Sequence, residues 1–278
     1  MTIPTIKLSS GDEIPALGLG TWELVGDTCT EAVRIALDLG YTHIDTAYWY
    51  GNHAQIAPAL KGAERSKLWI TTKVPPFQLQ REQVLQVCDE SLRDLGVEYV
   101  DLLLIHWPNH KVPMAETFGA FKELHEAGKV RNVGVSNFSI NHVRKALEVS
   151  PLPIVTNQVE FHPLLNQREL LEYCHSRGVI ITAYSPLGRG ELLRDARITK
   201  IADKYGKTPA QVLLRWALQK GMIVIPKASS EPHLRDNLGA LGWELDEEDM
   251  ATIEAMNENK RIIDPDFAEW NLPYEQIA

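Results

Sequence analysis

Four side chains that could share acid–base chemistry stand at or just after the ends of strand-like runs. Asp45 closes a short β-branched run and Tyr50 comes five residues later, while Lys73 and His106 end two later apolar runs. A phenol, with a pKa of about 10, is a poor acid at neutral pH, so a catalytic tyrosine needs a nearby cation to lower that value. Lys73 can supply the cation, and Asp45 can keep it charged when it is removed from water. With His106 bonded to the substrate oxygen, this set would protonate a carbonyl oxygen.

Each of these residues also has an ordinary structural explanation when it is taken alone. Asp45 could cap a loop, Tyr50 could be a half-buried packing residue, and Lys73 could be a solvated strand end. His106 could be a core histidine whose hydrogen bonds are satisfied. The shared position at strand ends favours the catalytic interpretation, because the carboxyl ends of parallel strands meet on one face of a barrel.

Polar residues also follow the later strand-like runs. They are Ser136, Asn137, Gln158, Tyr184, Ser185 and Lys227. Amides and hydroxyls at these places could hold a carboxamide, Tyr184 could stack on a flat ring, and Lys227 could pair with a phosphate.

Strand-like and helical segments alternate about eight times along the chain, the number that closes a parallel barrel. The pattern predicts strands near residues 17–22, 42–45, 68–73, 99–105, 130–135, 154–159, 179–183 and 222–225. It predicts helices near residues 28–39, 53–61, 80–94, 114–127, 139–149, 167–177, 196–205, 208–219 and 231–240. A hairpin over residues 5–15 comes first, and an acidic helix over residues 246–256 comes last, before an irregular aromatic tail. Because no linker divides the chain, we expect one α/β domain over residues 1–278, a (β/α)8 TIM barrel with the C-terminal helix and tail lying over it.

The composition of the chain limits the kinds of molecule that it is expected to bind. The chain has 278 residues, 44% of them hydrophobic, and a net charge of −9 without a basic cluster, which argues against nucleic acid and an anionic membrane surface. The cysteines Cys29, Cys88 and Cys174 are scattered without ligand spacing, so we expect neither disulfides nor a metal site. The amino terminus lacks an apolar signal run. We therefore expect an unprocessed cytoplasmic monomer with a small-molecule carbonyl substrate.

Several short motifs occur together in a combination typical of one enzyme superfamily. They are residues 40–47 with 50–52, 103–108, 128–138, 157–160, 183–188 and 225–227. With these motifs the chain resembles the aldo-keto reductase superfamily over nearly its whole length. Its length and short loops are most similar to the microbial branch that includes diketogluconate and methylglyoxal reductases.

The resemblance implies a barrel that binds NADP(H) across its mouth without a Rossmann fingerprint, and Gly18 and Gly20 indeed belong to no G-x-G-x-x-G run. It implies Tyr50 as proton donor, Lys73 with Asp45 as the pair that tunes its pKa, and His106 as the group that orients the carbonyl. The cofactor residues that it implies are Thr21, Trp22, Asp45, Ser136, Asn137, Gln158, Tyr184, Ser185, Leu187, Gly190, Ala210, Lys227, Ala228, Ser229, His233 and Asn237.

The chain departs from the family where the 2′-phosphate is normally bound. Ala228 replaces a usual Ser or Thr, and His233 replaces a usual Arg. We therefore expect NADPH as cofactor with appreciable use of NADH. The residues expected to wall the substrate pocket are Trp22, Trp49, Trp107 and Trp270.

Two other functions fit parts of the pattern. A cofactor-binding regulatory barrel would keep the fold with little turnover, although the intact catalytic set argues against it. A lyase that forms a Schiff base on Lys73 is also compatible with a neighbouring Asp45 and Tyr50. An assay with reduced cofactor and an aldehyde separates the three, because the lyase needs no cofactor and the regulatory barrel would turn over very little.

Overall fold

The computed structural model describes residues 2–278, and within them eight parallel strands curl into a barrel. The strands are β3 (Leu19–Gly20), β4 (His43–Asp45), β5 (Trp69–Val74), β6 (Val100–Ile105), β7 (Val130–Ser136), β8 (Ile154–Glu160), β9 (Ile180–Tyr184) and β10 (Ile223–Val224). Each strand pairs with the next one in the chain. Parallel bridges from Leu17 to Val224 and from Gly20 to Lys227 join the first and last strands, so the barrel is closed.

Helices follow the strands and surround the barrel. They are α1 (Gly26–Asp38), α2 (His53–Leu60), α3 (Arg81–Leu95), α4 (Met114–Glu126), α5 (Ile140–Val149), α6 (Arg168–Ser176), α7 (Ala196–Tyr205), α8 (Pro209–Gln219), α9 (Glu231–Leu238) and α10 (Glu247–Glu254). A hairpin of β1 (Thr5–Lys7) and β2 (Glu13–Pro15) precedes the barrel. This arrangement confirms the predicted fold class.

Local sequence explains where the helices begin and end. Helix α8 begins with a capping box in which the Thr208 hydroxyl accepts from the Gln211 backbone and the Gln211 side chain accepts from the Thr208 backbone. Pro209 then takes the first helical position, where a missing N–H costs nothing. Helix α3 ends at Gly96, whose φ of 67° is the left-handed conformation that glycine adopts most easily.

The first strand is shorter than the predicted residues 17–22, because the chain there lies very close to its neighbours. A Cβ atom at Gly20 would stand 2.6 Å from the carbonyl oxygen of Ile225. Only glycine permits this approach, which brings the two ends of the sheet together.

The hydrophobic core has two layers. The larger layer lies between the barrel and its helices, and residues such as Leu103 and Ile105 contribute to it. The smaller layer combines Leu102 and Leu104, the alternate residues of β6, with Leu8 and Ile14 from the amino-terminal hairpin. The hairpin therefore plugs the amino-terminal end of the barrel.

Candidate active site

A cavity of about 770 Å³ opens at the carboxyl ends of the strands. Most of the residues singled out from the sequence line it, namely Thr21, Trp22, Asp45, Trp49, Tyr50, His106, Trp107, Ser136, Asn137, Gln158, Tyr184, Ser185, Leu187, Gly190 and Lys227. Lys73 is fully buried behind this lining. Those predicted residues that lie outside the lining are Ala210, Ala228, Ser229, His233, Asn237 and Trp270.

Lys73 and Asp45 form a buried ion pair beneath the cavity floor. The pairing of β4 with β5 sets Asp45 opposite Thr71, so Lys73 follows two residues later on the same face. The Lys73 ammonium donates to the Asp45 carboxylate at 2.6 Å and to the Thr46 carbonyl at 2.7 Å, and it lies 3.4 Å from the Tyr50 hydroxyl oxygen. The ammonium is thus held by a charge and a carbonyl while it faces the phenol.

The second oxygen of Asp45 has a partner that the sequence did not indicate. The Gln158 side-chain amide, on β8, donates to it at 2.6 Å. Both oxygens of this buried carboxylate are therefore satisfied, as a charge removed from water requires. Motif reasoning had assigned Gln158 only to the cofactor.

Tyr50 ends a short 3-10 helix, Tyr48–Tyr50, which turns away at Gly51 in the left-handed conformation. Removal of its hydroxyl from water raises its pKa well above the usual value, and the charge of Asp45 raises it further. This is opposite to the expectation that Lys73 would lower the pKa of Tyr50, because burial of the hydroxyl is the larger effect and the charge of Asp45 acts in the same direction. Burial lowers the pKa of Lys73, while the charge and hydrogen bond of Asp45 oppose that effect. Tyr50 is therefore protonated at neutral pH, the form that can donate.

His106 is buried beside Tyr50 with its ring edge-on, the two ring centroids being 5.6 Å apart. Burial lowers the pKa of His106 well below its usual value, and the positive charge of Lys73 lowers it further. The imidazole is thus neutral at neutral pH and has one N–H to donate. Its Nδ1 atom has no hydrogen-bond partner within residues 2–278.

A hydrogen-bond network connects the ends of the middle strands. The Asn137 amide donates to the His106 carbonyl at 2.9 Å and to the Ser136 hydroxyl at 3.1 Å, and the Tyr184 hydroxyl donates to the Asn137 side-chain oxygen at 2.8 Å. Asn137 has a φ of 62°, a conformation that non-glycine residues rarely adopt and that often occurs at functional sites. The network fixes the ring of Tyr184 in the cavity wall.

The other end of the cavity carries positive charge. Lys227 lines it after the last strand, and Arg189 lines it from the loop after β9. The Arg189 guanidinium lies 4.3 Å from the centroid of the Trp22 ring, so loops after the first and seventh strands of the barrel meet here. The sequence did not single out Arg189, although Ser185, Leu187 and Gly190 of the same loop were expected to bind the cofactor.

The pocket has an aromatic wall, but Trp270 is not part of the lining. Trp270 packs against Trp107, with ring centroids 5.3 Å apart, and does not itself line the cavity. Phe267 takes the place expected for it, and Ile263 and Pro265 line the cavity beside it. The tail was expected to lie over the barrel, but its lack of periodicity hid which of its residues face inward.

No helix within residues 2–278 is both long enough and apolar enough to span a membrane. Over the same residues, no three His, Cys, Asp or Glu side chains stand together in a way that could hold a metal ion.

Known proteins resemble this chain in sequence and in fold. The model of the "Aldo/keto reductase family" matches residues 16–258. Glyoxal reductase of Bacillus subtilis (strain 168) is 41% identical over 261 residues, which cover 93% of this chain and 94% of the relative. The 9,11-endoperoxide prostaglandin H2 reductase of Trypanosoma cruzi (strain CL Brener) is 40% identical over 268 residues, which cover 94% of each protein.

Solved structures agree. A putative 2,5-diketo-D-gluconic acid reductase B matches with a TM-score of 0.92 and 38% identity over 97% of both chains. An aldo-keto reductase of Bombyx mori in complex with NADP matches with a TM-score of 0.90 and 32% identity, covering 97% of this chain and 99% of that one. These matches confirm the resemblance read from the motifs: the chain belongs to the aldo/keto reductase family and is an oxidoreductase that acts on carbonyl compounds.

Proposed function

We propose that the protein reduces aldehydes or ketones to alcohols with NADPH, and that Tyr50 donates the proton. The observation that carries the proposal is the Tyr50 hydroxyl in the cavity lining, 3.4 Å from the buried Lys73 ammonium, with the ring centroids of Tyr50 and His106 5.6 Å apart. A small-molecule carbonyl compound is the substrate.

The cavity lining supports binding of a nicotinamide dinucleotide. The amides and hydroxyls of Ser136, Asn137 and Gln158 suit the nicotinamide carboxamide, and the Tyr184 ring can stack on the nicotinamide. Lys227 and Arg189 bring positive charge to the end where phosphates would lie. When bound, the cofactor supplies the hydride for the carbonyl carbon.

The chain's own residues manage the proton. Tyr50 transfers its hydroxyl proton to the carbonyl oxygen as negative charge develops there. Lys73 stabilises the phenolate that is left, and Asp45 keeps Lys73 charged in a buried position. His106 donates a hydrogen bond that orients the carbonyl oxygen.

The cofactor preference follows from the residues near Lys227. Ala228 cannot donate a hydrogen bond through its side chain, and His233 is an exposed imidazole on α9 at a position where the resemblance to the family implies a permanently charged Arg. A charge-assisted hydrogen bond contributes about 1.5 to 3 kcal/mol, so its loss should reduce the preference for NADPH over NADH by roughly one to two orders of magnitude. We expect NADPH to be preferred and NADH to be used well.

His233→Arg should raise kcat/KM for NADPH at least tenfold and leave kcat/KM for NADH unchanged, which serves as the internal control. Equal effects on both cofactors would contradict the role given to position 233.

The direct test is oxidation of NADPH, followed by absorbance, over a panel of aldehydes and ketones. Turnover that requires both reduced cofactor and carbonyl compound supports the proposal. Carbonyl-dependent chemistry without cofactor, with borohydride trapping of substrate on Lys73, would instead indicate the lyase. Cofactor binding without turnover of any carbonyl compound would indicate the regulatory barrel.

The same proposal covers the organisation of the protein. We infer that residues 1–278 act as a single domain, a view supported by the pairing of the first barrel strand with the last. The buried, free Cys29, Cys88 and Cys174 suit a reducing, cytoplasmic location. A monomer is expected, and light scattering of the purified protein tests it.

A further inference from the structure

The part of the tail that faces the cavity is held at both ends by carboxylates. We call residues 262–269 the strap. It has no regular secondary structure, and it lies between α10 and the final 3-10 turn, Tyr274–Gln276. A segment of this kind keeps a defined shape only if particular contacts hold it.

Glu160 holds the first end of the strap from the barrel. It is the last residue of β8 and is fully buried. Its two carboxylate oxygens accept the backbone N–H groups of Ile262 and Ile263, each at 2.8 Å, and one of them also contacts His162 at 2.8 Å. Burial works to raise the pKa of Glu160, but the hydrogen bonds from His162, Ile262 and Ile263 outweigh it and lower the pKa. The carboxylate is therefore charged and occupied by the strap.

Glu269 holds the other end of the strap. Here the carboxylate belongs to the strap and its partners belong to the barrel and its helices. One of its oxygens accepts the backbone N–H of His110 at 3.0 Å and contacts the His110 ring at 2.6 Å, and the other lies 3.3 Å from Nε2 of the buried His142. Burial works to raise the pKa of Glu269, but the hydrogen bonds from His142 and His110 outweigh it and lower the pKa to about 2. His110 follows the end of β6 and His142 lies on α5, so Glu269 ties the strap to two elements at once.

Between these two attachments the strap turns Ile263, Pro265 and Phe267 toward the cavity. Phe267 lies 6.0 Å from Trp49 and 5.5 Å from Trp107 between ring centroids, and Trp49 in turn lies 6.0 Å from the catalytic His106. One aromatic ring, that of Trp49, therefore contacts both Phe267 and His106.

We propose that Glu160 and Glu269 are positioning residues for substrate selectivity, which fix the strap at both ends so that Phe267 forms a rigid aromatic wall for the substituent of the carbonyl substrate. The inference rests on the proposed carbonyl reduction and adds to it the class of substrate favoured, aldehydes with an aromatic or bulky apolar substituent. Neither carboxylate touches the reacting atoms, so both act through Phe267.

The test compares two aldehydes that differ by a phenyl group, propanal and 3-phenylpropanal, with NADPH. We expect Glu269→Ala to lower the ratio of kcat/KM for 3-phenylpropanal over propanal about fivefold, the change expected from the loss of one aromatic contact. The change should lie in KM rather than kcat, and the Kd of NADPH should stay the same. Glu269→Gln keeps an acceptor for the His110 N–H and should recover part of the ratio. Glu160→Gln should act in the same direction as Glu269→Ala.

A double-mutant cycle shows whether Glu269 acts through Phe267. Phe267→Ala should lower the ratio as Glu269→Ala does, and the double variant should lower it no further. Glu275→Ala, an exposed tail carboxylate outside the strap, is the matched control and should leave the ratio unchanged. If Glu160→Gln fails to fold, the cycle at Glu269, which is partly accessible, still decides.

The outcomes distinguish a failure of this inference from a failure of the proposed carbonyl reduction on which it rests. Full turnover with an unchanged ratio in Glu269→Ala, or additive effects in the double variant, would overturn the inference alone. No carbonyl-dependent NADPH oxidation by the unmodified protein, with these aldehydes and with the wider panel, would overturn the proposed function and the inference together.

Discussion

Replacement of Tyr50 by Phe removes one hydroxyl and separates catalysis from folding. Among residues 2–278 this hydroxyl has a single partner, the Lys73 ammonium at 3.4 Å, which is near the limit of a hydrogen bond. Lys73 keeps its shorter bonds to Asp45 and to the Thr46 carbonyl in the variant. The free energy of unfolding should therefore fall by less than about 1 kcal/mol.

The effect on turnover should be much larger. General acid catalysis contributes about 10² to 10⁴-fold, so the barrier should rise by about 2.7 to 5.5 kcal/mol. The assay measures kcat for NADPH-dependent reduction of the best aldehyde, with urea unfolding and the Kd of NADPH measured on the same samples. Tyr48→Phe is the matched control, because Tyr48 belongs to the same 3-10 helix and its hydroxyl donates to Glu90 instead. The assignment is refuted if Tyr50→Phe keeps more than about a tenth of kcat while it still binds NADPH.

Further predictions concern buried charges and close packing. Lys73→Met should lower the free energy of unfolding by about 3 to 5 kcal/mol in urea, because it leaves the Asp45 carboxylate buried without its cation, and Asp45→Asn in addition should restore part of it. Burial lowers the pKa of His53 from 6.5 to about 4, so the unfolded chain takes up this proton first and stability falls as pH drops from 6.5 toward 4. His53→Gln should therefore reduce the slope of unfolding free energy in that range by up to about 1.4 kcal/mol per pH unit. Gly20→Ala should destabilise the barrel by about 1 to 3 kcal/mol, because its Cβ would stand 2.6 Å from a backbone oxygen; an unchanged melting temperature would contradict this reading of the first strand.

The sequence predicted the barrel because its signals are local and repeated. Most barrel strands contain apolar runs, the helices have apolar residues at helical spacing, and several helices end at a glycine such as Gly96. Asp45, Lys73 and His106 could be placed together in advance, since the carboxyl ends of parallel strands converge.

Other features of the site depend on contacts between residues far apart in the sequence, which local sequence patterns do not predict. The bond from Gln158 to Asp45 joins β8 to β4 across the barrel interior, and it arises from curvature rather than from spacing. Whether the pKa of Tyr50 is raised or lowered depends on how far the effect of burial exceeds that of the neighbouring cation. Glu160 belongs to a recognised motif, yet its partners include two backbone N–H groups of the tail, which any amino-acid sequence would offer.

Because the barrel closes through its last strand, the sheet stays open while the ribosome synthesises the chain. Leu17 and Val224 pair although they lie about 200 residues apart in the chain. Their contact therefore forms only after the entropy cost of closing a large loop has been met, which makes it slow to form. At about 5 to 20 residues per second, a ribosome completes β10 roughly 10 to 40 s after β3. Throughout that interval the partly formed sheet has an open edge, which can pair with the strands of other chains. The danger of aggregation therefore lasts until the final strand has been synthesised and has paired with the first.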